Sequence, residues 1–246
     1  KEANPIKTQD WLRYNITNNI KKYIKTSSPE LDVKNIIDVG CSVGISTEFL
    51  YKTFRSSKNV VGIDLSPFFI AMAKLRSEKF DFPIEYYHLN AENMNKVEQN
   101  SQDLIICNFI MHELPEEPTN NIIDEIYRIL KPGGVIAIID LTPKSLTDNF
   151  FISSFRKWAF EVTEPHIYGY YKRDLNELLK SNFYYVDSVK NDPLNTIWMG
   201  VKLEETGSEY DYYDIDNYNK NKMDEEEDDE KKYNETLLRY SQLELV

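Results

Sequence analysis

Apolar residues recur four apart at Leu12, Ile16, Ile20 and Ile24, which predicts an amphipathic helix over residues 11–25. A different pattern follows. Short strand-like segments lie at 35–39, 59–63, 84–89, 103–109 and 135–139, four of the five ending in polar residues or glycine, and the 103–109 run is nearly unbroken in its apolar character. That 103–109 run predicts a strand covered on both faces, because such a strand loses the alternation of a half-exposed one. Helical patterns fill the gaps. One starts after Gly44 and reaches about residue 55 with Phe49 and Leu50 inward, and one opens at Ser66-Pro67 as N-cap and first helical residue. A third, over 119–130, lines up Ile122, Ile123 and Ile126 with Ile129 or Leu130, and is broken by a turn at Lys131-Pro-Gly-Gly134. Strands alternating with helices predict an α/β Rossmann-like doubly wound sheet, mostly parallel, with helices on both faces. Further along, 146–162 and 174–180 read as helices, and 183–189 with 196–201 as a closing antiparallel pair.

Charge divides the chain unevenly. Of the net −12, residues 203–246 carry −10 and residues 1–202 only −2. The reading is an N-terminal helical segment over 1–30, an α/β domain over 31–202, and an acidic, tyrosine-rich tail over 203–246. That tail lacks an apolar period and is expected to be disordered, with a short helix within 233–246. It is the part left for a protein partner. A nearly neutral body gives no electrostatic support for nucleic-acid binding, and no run of about 18 apolar residues predicts a membrane span. With no signal-like stretch the reading is cytoplasmic, or an organelle if a leader has been removed. Cys41 and Cys107 are too few for a disulfide framework and read as buried thiols on adjacent strands, and no residue cluster has metal-ligand spacing.

Ligands of open parallel sheets bind beyond the carboxyl ends of the strands. The first strand ends in Asp38-Val-Gly-Cys-Ser-Val-Gly44, where Gly40 and Gly44 permit a sharp turn and close approach of a ligand. The second ends in Asp64, a carboxylate placed to accept hydrogen bonds from both hydroxyls of a ribose. A dinucleotide fingerprint fits poorly, since Ser42 and Ile45 stand at its second and third glycine places. His112 is the histidine on the expected active-site edge, where an imidazole can serve as base. His88, near a strand end, reads as structural.

Asp-x-Gly-x-x-x-Gly at 38–44 resembles motif I of the class I S-adenosylmethionine-dependent methyltransferases. Asn90-Ala-Glu-Asn-Met94 resembles their adenine-contacting loop, 103–115 their fourth motif, and 129–135 the turn into their fifth strand. More narrowly, 41–47, His112-Glu-Leu-Pro115 and Thr163-Glu-Pro-His166 resemble a type 11 branch related to the ubiquinone and menaquinone methyltransferases. The resemblance implies S-adenosyl-L-methionine as cofactor and a small organic acceptor methylated on oxygen, nitrogen or carbon. It implies cofactor contacts at Asp38, Gly40, Cys41, Gly44, Asp64, Leu65, Asn90, Ala91, Glu92, Asn108 and Phe109, and an acceptor pocket at Glu164, His166, Tyr168 and Tyr170. Two departures stand out, Asn90 for the usual Asp and Ser42 for the usual Gly; Ser42 is tolerable where its N–H stays on the cofactor. With the unusual tail, Asn90 keeps open an alternative, a turnover-deficient relative acting as a binding or scaffold subunit.

Overall fold

The computed structural model describes residues 8–80, 83–143, 158, 162–192 and 194–203. The expected helix over 146–162 and the acidic tail therefore lie outside the described residues, apart from 158, 162 and 203. Helix α1 (Thr8–Ser27) is followed by β1 (Asn35–Val39), α2 (Ile45–Thr53), β2 (Asn59–Asp64), α3 (Pro67–Phe80) and β3 (Glu85–His88). Then come β4 (Gln102–Asn108), a 3-10 turn (Met111–Glu113), α4 (Glu116–Ile129) and β5 (Leu130–Leu141). Short helices α5 (Ile167–Tyr171) and α6 (Leu175–Lys180) precede β6 (Tyr184–Lys190) and β7 (Asn195–Val201). The seven strands form one sheet in the order β3-β2-β1-β4-β5-β7-β6. Pairing is parallel from β3 through β5, whereas β7 runs antiparallel to both β5 and β6.

Burial follows the apolar pattern. The α1 stripe packs Ile16, Ile20 and Ile24 onto one face of the sheet together with Leu50 of α2 and Ile70 and Ala73 of α3. The opposite face takes Ile122, Ile123, Ile126 and Ile129 of α4, Ile167 and Tyr170 of α5, and Leu175 and Leu179 of α6. Along β4, Leu104 and Ile106 point to the first face, and Ile105 and Cys107 to the second, which explains the unbroken apolar run. Cys107 pairs with Val39 on β1, and both cysteines are buried free thiols.

One boundary differs from expectation. Leu130 is already extended, and the Lys131–Gly134 segment lies within β5. The register passes from Gln102↔Leu130 to Leu104↔Val135, so four residues sit opposite Asp103 alone. This bulge is closed by Lys131 Nζ, which donates to Asp103 Oδ1 at 2.6 Å, while Asp103 Oδ2 accepts from the backbone N–H groups of Lys34 and Asn35. Pro132 and the left-handed Gly133 are accommodated in a bulge where a regular ladder would reject them. Among the described residues no helix is long and apolar enough to cross a membrane.

Gly62 in β2 has its α-carbon pressed against Tyr86 and Cys41. A β-carbon there would lie 2.6 Å from Tyr86 Cδ1 and 2.9 Å from Cys41 Sγ. Gly62→Ala is expected to lower unfolding free energy by about 1–3 kcal/mol through overpacking, read from the urea midpoint at unchanged slope.

Candidate active site

The site begins where β1 ends. Gly40 and Gly44 both adopt left-handed backbone, with φ +71° and +81°, and the loop between them turns into the N-terminus of α2. Ser42 shares that conformation at φ +50°, a region a non-glycine residue enters at a cost of about 1–2 kcal/mol. Its N–H donates to Asp64 Oδ2 at 2.9 Å, so that donor is spent within the protein and not kept for a cofactor as the sequence reading required. Asp64 Oδ1 accepts from Ser66 N at 2.8 Å. An ionised carboxylate offers about four acceptor positions, so two remain for hydroxyl donors from a ligand.

Asp38 is wholly out of solvent. Its Oδ2 accepts from Ser46 Oγ at 2.6 Å and Thr47 Oγ1 at 2.7 Å, while Oδ1 has no partner. Burial pushes its carboxyl up to about 6, against the pull of the two hydroxyls. Asn108, on the same face at the end of neighbouring β4, likewise has a buried Oδ1 without a partner. A small cleft opens beside it, lined by Arg13, Ile16 and Thr17 of α1, Ser46, Phe49 and Leu50 of α2, and Ile106 and Asn108 of β4. Two orphaned acceptors on adjacent strand ends, beside a loop that bares its backbone, are what a polar ligand with donor groups would satisfy.

Other expected contacts are placed around this centre. Leu65 is 67% exposed beside Asp64, free to cover a flat ligand. Asn90 is exposed with Oδ1 accepting from Glu92 N, and Ala91 and Glu92 are half-buried. Glu92 also accepts from Asn121 Nδ2 at 2.9 Å. Cys41 is buried behind the loop, its thiol pushed up by burial and by the carboxylates of Asp38 and Asp64. His88 Nε2 lies 2.9 Å from the Leu65 carbonyl, a structural placement.

Phe109 leaves β4 with φ +56°, half-buried, and its N–H donates to Ile139 O. This kink sends the chain into the 3-10 turn bearing His112. Asp140, at the end of β5 and fully buried, organises that turn. Its Oδ2 accepts from Met111 N at 2.8 Å and His112 N at 3.2 Å, and its Oδ1 lies 2.6 Å from His112 Nδ1. Burial alone would lower the His112 pKa, yet the hydrogen bond and charge of Asp140 outweigh it, and Glu113 and Glu164 add to the rise. Glu113 is itself pushed up, by burial first and by the carboxylates of Glu164, Asp140 and Asp64, against the opposing His112. Side-chain atoms of His112, Glu113 and Glu164 approach within 4.8 Å of one another. No such cluster was legible along the chain, because Glu164 is remote in sequence and arrives only through folding.

The acceptor set does not assemble as a unit. Residues two apart on a helix point to opposite sides, and Tyr168 and Tyr170 on α5 do so. Tyr168 is 58% exposed with its ring 6.3 Å from that of Tyr171. Tyr170 is wholly buried and donates to Leu141 O at 2.5 Å, so it is packing behind His112, not pocket lining. His166 is half-buried at the N-cap of α5. Arg173 was missed: its guanidinium donates to Met111 O, Leu114 O and Thr119 Oγ1, tying the His112 turn to α4. Ser46 and Thr47 were missed as partners of Asp38. Asp140 carried the same strand-end signal as Asp38 and Asp64.

Residues 36–134 match the family described as "Methyltransferase domain". A relative named ubiquinone biosynthesis O-methyltransferase, from Psychrobacter cryohalolentis, is 28% identical over 153 residues, 58% of this chain and 56% of that protein. The chain thus spans about half the length of the curated relatives it matches. Among solved structures, an O-methyltransferase family protein from Burkholderia thailandensis superposes with a TM-score of 0.58 at 15% identity, covering 81% of this chain and 61% of that one. The N-methyltransferase NodS from Bradyrhizobium japonicum gives 0.56 at 16% identity, covering 80% of this chain and 99% of NodS. At these identities the likeness is one of fold.

Asp38 also sets a pH dependence. Its carboxyl stays protonated to about pH 6 in the folded chain but only to 3.8 unfolded, so the folded state binds more protons between those values. Its contribution to stability therefore falls as pH rises across that window, by about 3 kcal/mol in all. Asp38→Asn lacks that slope. Urea unfolding from pH 4 to 7 should show the variant gaining on wild type up to about pH 6 and levelling off above it, with a flat difference ruling out the assignment.

Proposed function

We propose that this chain, whose residues 36–134 match a family described as "Methyltransferase domain", transfers a methyl group from S-adenosyl-L-methionine to a small organic acceptor. The observation that carries the reading is the pair of buried, unpartnered oxygens, Asp38 Oδ1 and Asn108 Oδ1, beside the left-handed Gly40–Gly44 loop. Together they call for a ligand bearing donor or cationic groups. Asp38, ionised above about pH 6, suits an ammonium group. The two remaining acceptor positions of Asp64 suit a ribose diol, with Leu65 and the 90–92 loop flanking the base. Cys41, Gly40 and Gly44 contribute backbone and close approach, and Phe109 shapes the edge of the site.

When bound, the cofactor supplies an electrophilic methyl group on sulfur, so the protein's task is alignment, exclusion of water and removal of a proton. His112 is the base. As the acceptor heteroatom takes the methyl group, its proton passes to the imidazole, whose positive charge Asp140, Glu113 and Glu164 stabilise. Glu164 and His166 border the acceptor, and Tyr168 rims it from outside. Relatives named ubiquinone biosynthesis O-methyltransferase favour an oxygen acceptor. Residues 31–202 hold the reaction, and the acidic 203–246 segment is assigned to contacts with a protein partner.

Calorimetry with S-adenosylhomocysteine tests the reading. Wild type should bind, and Asp64→Ala should bind about 10–100-fold more weakly, the worth of a charge-assisted hydrogen bond. Unchanged affinity in the variant, or no binding by wild type, would overturn it. Given cofactor binding, His112→Ala should leave affinity intact and lower turnover by about 10²–10⁴-fold.

A further inference from the structure

The carboxylate of Asp140 is 0% exposed, and its hydrogen bonds tie it to the turn after β4 and to its own neighbour Leu141. Oδ2 accepts from Met111 N and His112 N, and Oδ1 accepts from Leu141 N at 2.7 Å and faces His112 Nδ1 at 2.6 Å. A carboxylate only accepts, so the proton between Asp140 and His112 belongs to Nδ1. The neutral imidazole is thereby the Nδ1–H tautomer, with its lone pair on Nε2. One aspartate thus fixes both the backbone carrying the histidine and the ring's protonation pattern.

We propose that Asp140 is the positioning residue of this site, holding His112 as the Nδ1–H tautomer so that Nε2 is the nitrogen free to take the acceptor's proton. The inference rests on the methyl-transfer reading for its purpose, but the tautomer itself is a property of the protein alone. The environment supports it from each element packed on the ring. Asp140 lies on β5, Glu113 in the turn, Glu164 just before α5, Tyr170 on α5 with its ring edge-on at 6.2 Å, and Arg173 after it on the Met111 carbonyl. Three of these are carboxylates, and the arginine is spent on carbonyls and Thr119 Oγ1. The surroundings stabilise an imidazolium once Nε2 has taken a proton, so the residue that orients the base also raises its basicity.

The chain has three histidines, His88, His112 and His166. In the full-length protein labelled with ¹⁵N-histidine, His112 is assigned by the loss of its signals in His112→Ala. Wild type should show a protonated Nδ1 and an unprotonated Nε2 at high pH, and His112 should titrate above the ordinary histidine value. Asp140→Asn removes the negative charge, and its single accepting oxygen can serve either the two turn N–H groups or the Leu141 N–H with Nδ1, not both pairs. In either orientation no carboxylate faces the ring from β5, so the His112 titration should fall by about one pH unit or more, with the His88 and His166 signals unmoved. An Nε2–H tautomer in wild type would overturn the proposal without any variant, and so would an unchanged His112 titration in Asp140→Asn. Calorimetry on the same samples keeps the two readings apart. Loss of cofactor binding by wild type would defeat the methyl-transfer reading while leaving the tautomer result standing.

Discussion

Two carboxylates buried at the ends of strands flanking β4 govern how the site is built. Asp38 on β1 and Asp140 on β5 are both wholly removed from water, and a buried charge is tolerated only where hydrogen bonds replace its hydration. The two meet that demand differently. Asp140 accepts from three backbone N–H groups and faces one imidazole, so it stabilises a local structure. Asp38 accepts from two hydroxyls on one oxygen and leaves the other bare, so it keeps an acceptor unsatisfied by the protein. That difference separates a scaffold carboxylate from a binding one more sharply than burial does.

The parallel sheet makes this division of labour possible. Because β1, β4 and β5 run the same way, their carboxyl ends share one edge, and loops from all three converge there. The covering helices then sort the functions. Ser46 and Thr47 on α2, with Arg13 and Thr17 on α1, stand on the face of Asp38 and Asn108. Tyr170 and Arg173 brace the His112 turn from the opposite face. The Asp38–Asn108 region and the His112 turn therefore lie side by side, each backed by its own core.

Of the four left-handed non-glycine residues among the described residues, two lie at the same edge. Ser42 and Phe109, both left-handed without being glycine, terminate the first turn after β1 and the end of β4. Each is held by a hydrogen bond to a neighbouring strand end, Ser42 N to Asp64 and Phe109 N to Ile139 O. Strain of this kind persists only where the surroundings over-determine it. The site is in that sense preorganised by the strands and not by its loops.

The alternation of apolar runs and helical stripes was enough to determine the layers, the parallel core and the strand ends where ligands bind, since these follow from local periodicity and the burial of both sheet faces. The α1 stripe, the α4 stripe and the closing β6–β7 pair were legible for that reason. So were Asp38 and Asp64, polar residues terminating apolar runs. What required the tertiary structure were pairings remote in sequence. Asp140 meets His112 across 28 residues, Arg173 reaches Met111 across 62, and Glu164 comes within 4.8 Å of the His112 ring and the Glu113 carboxylate. The fate of Ser42's N–H and of the two α5 tyrosines was likewise settled by geometry. A hydrogen bond depends on a direction in space, and no pattern of residue types along a chain encodes which of several distant acceptors a donor will face.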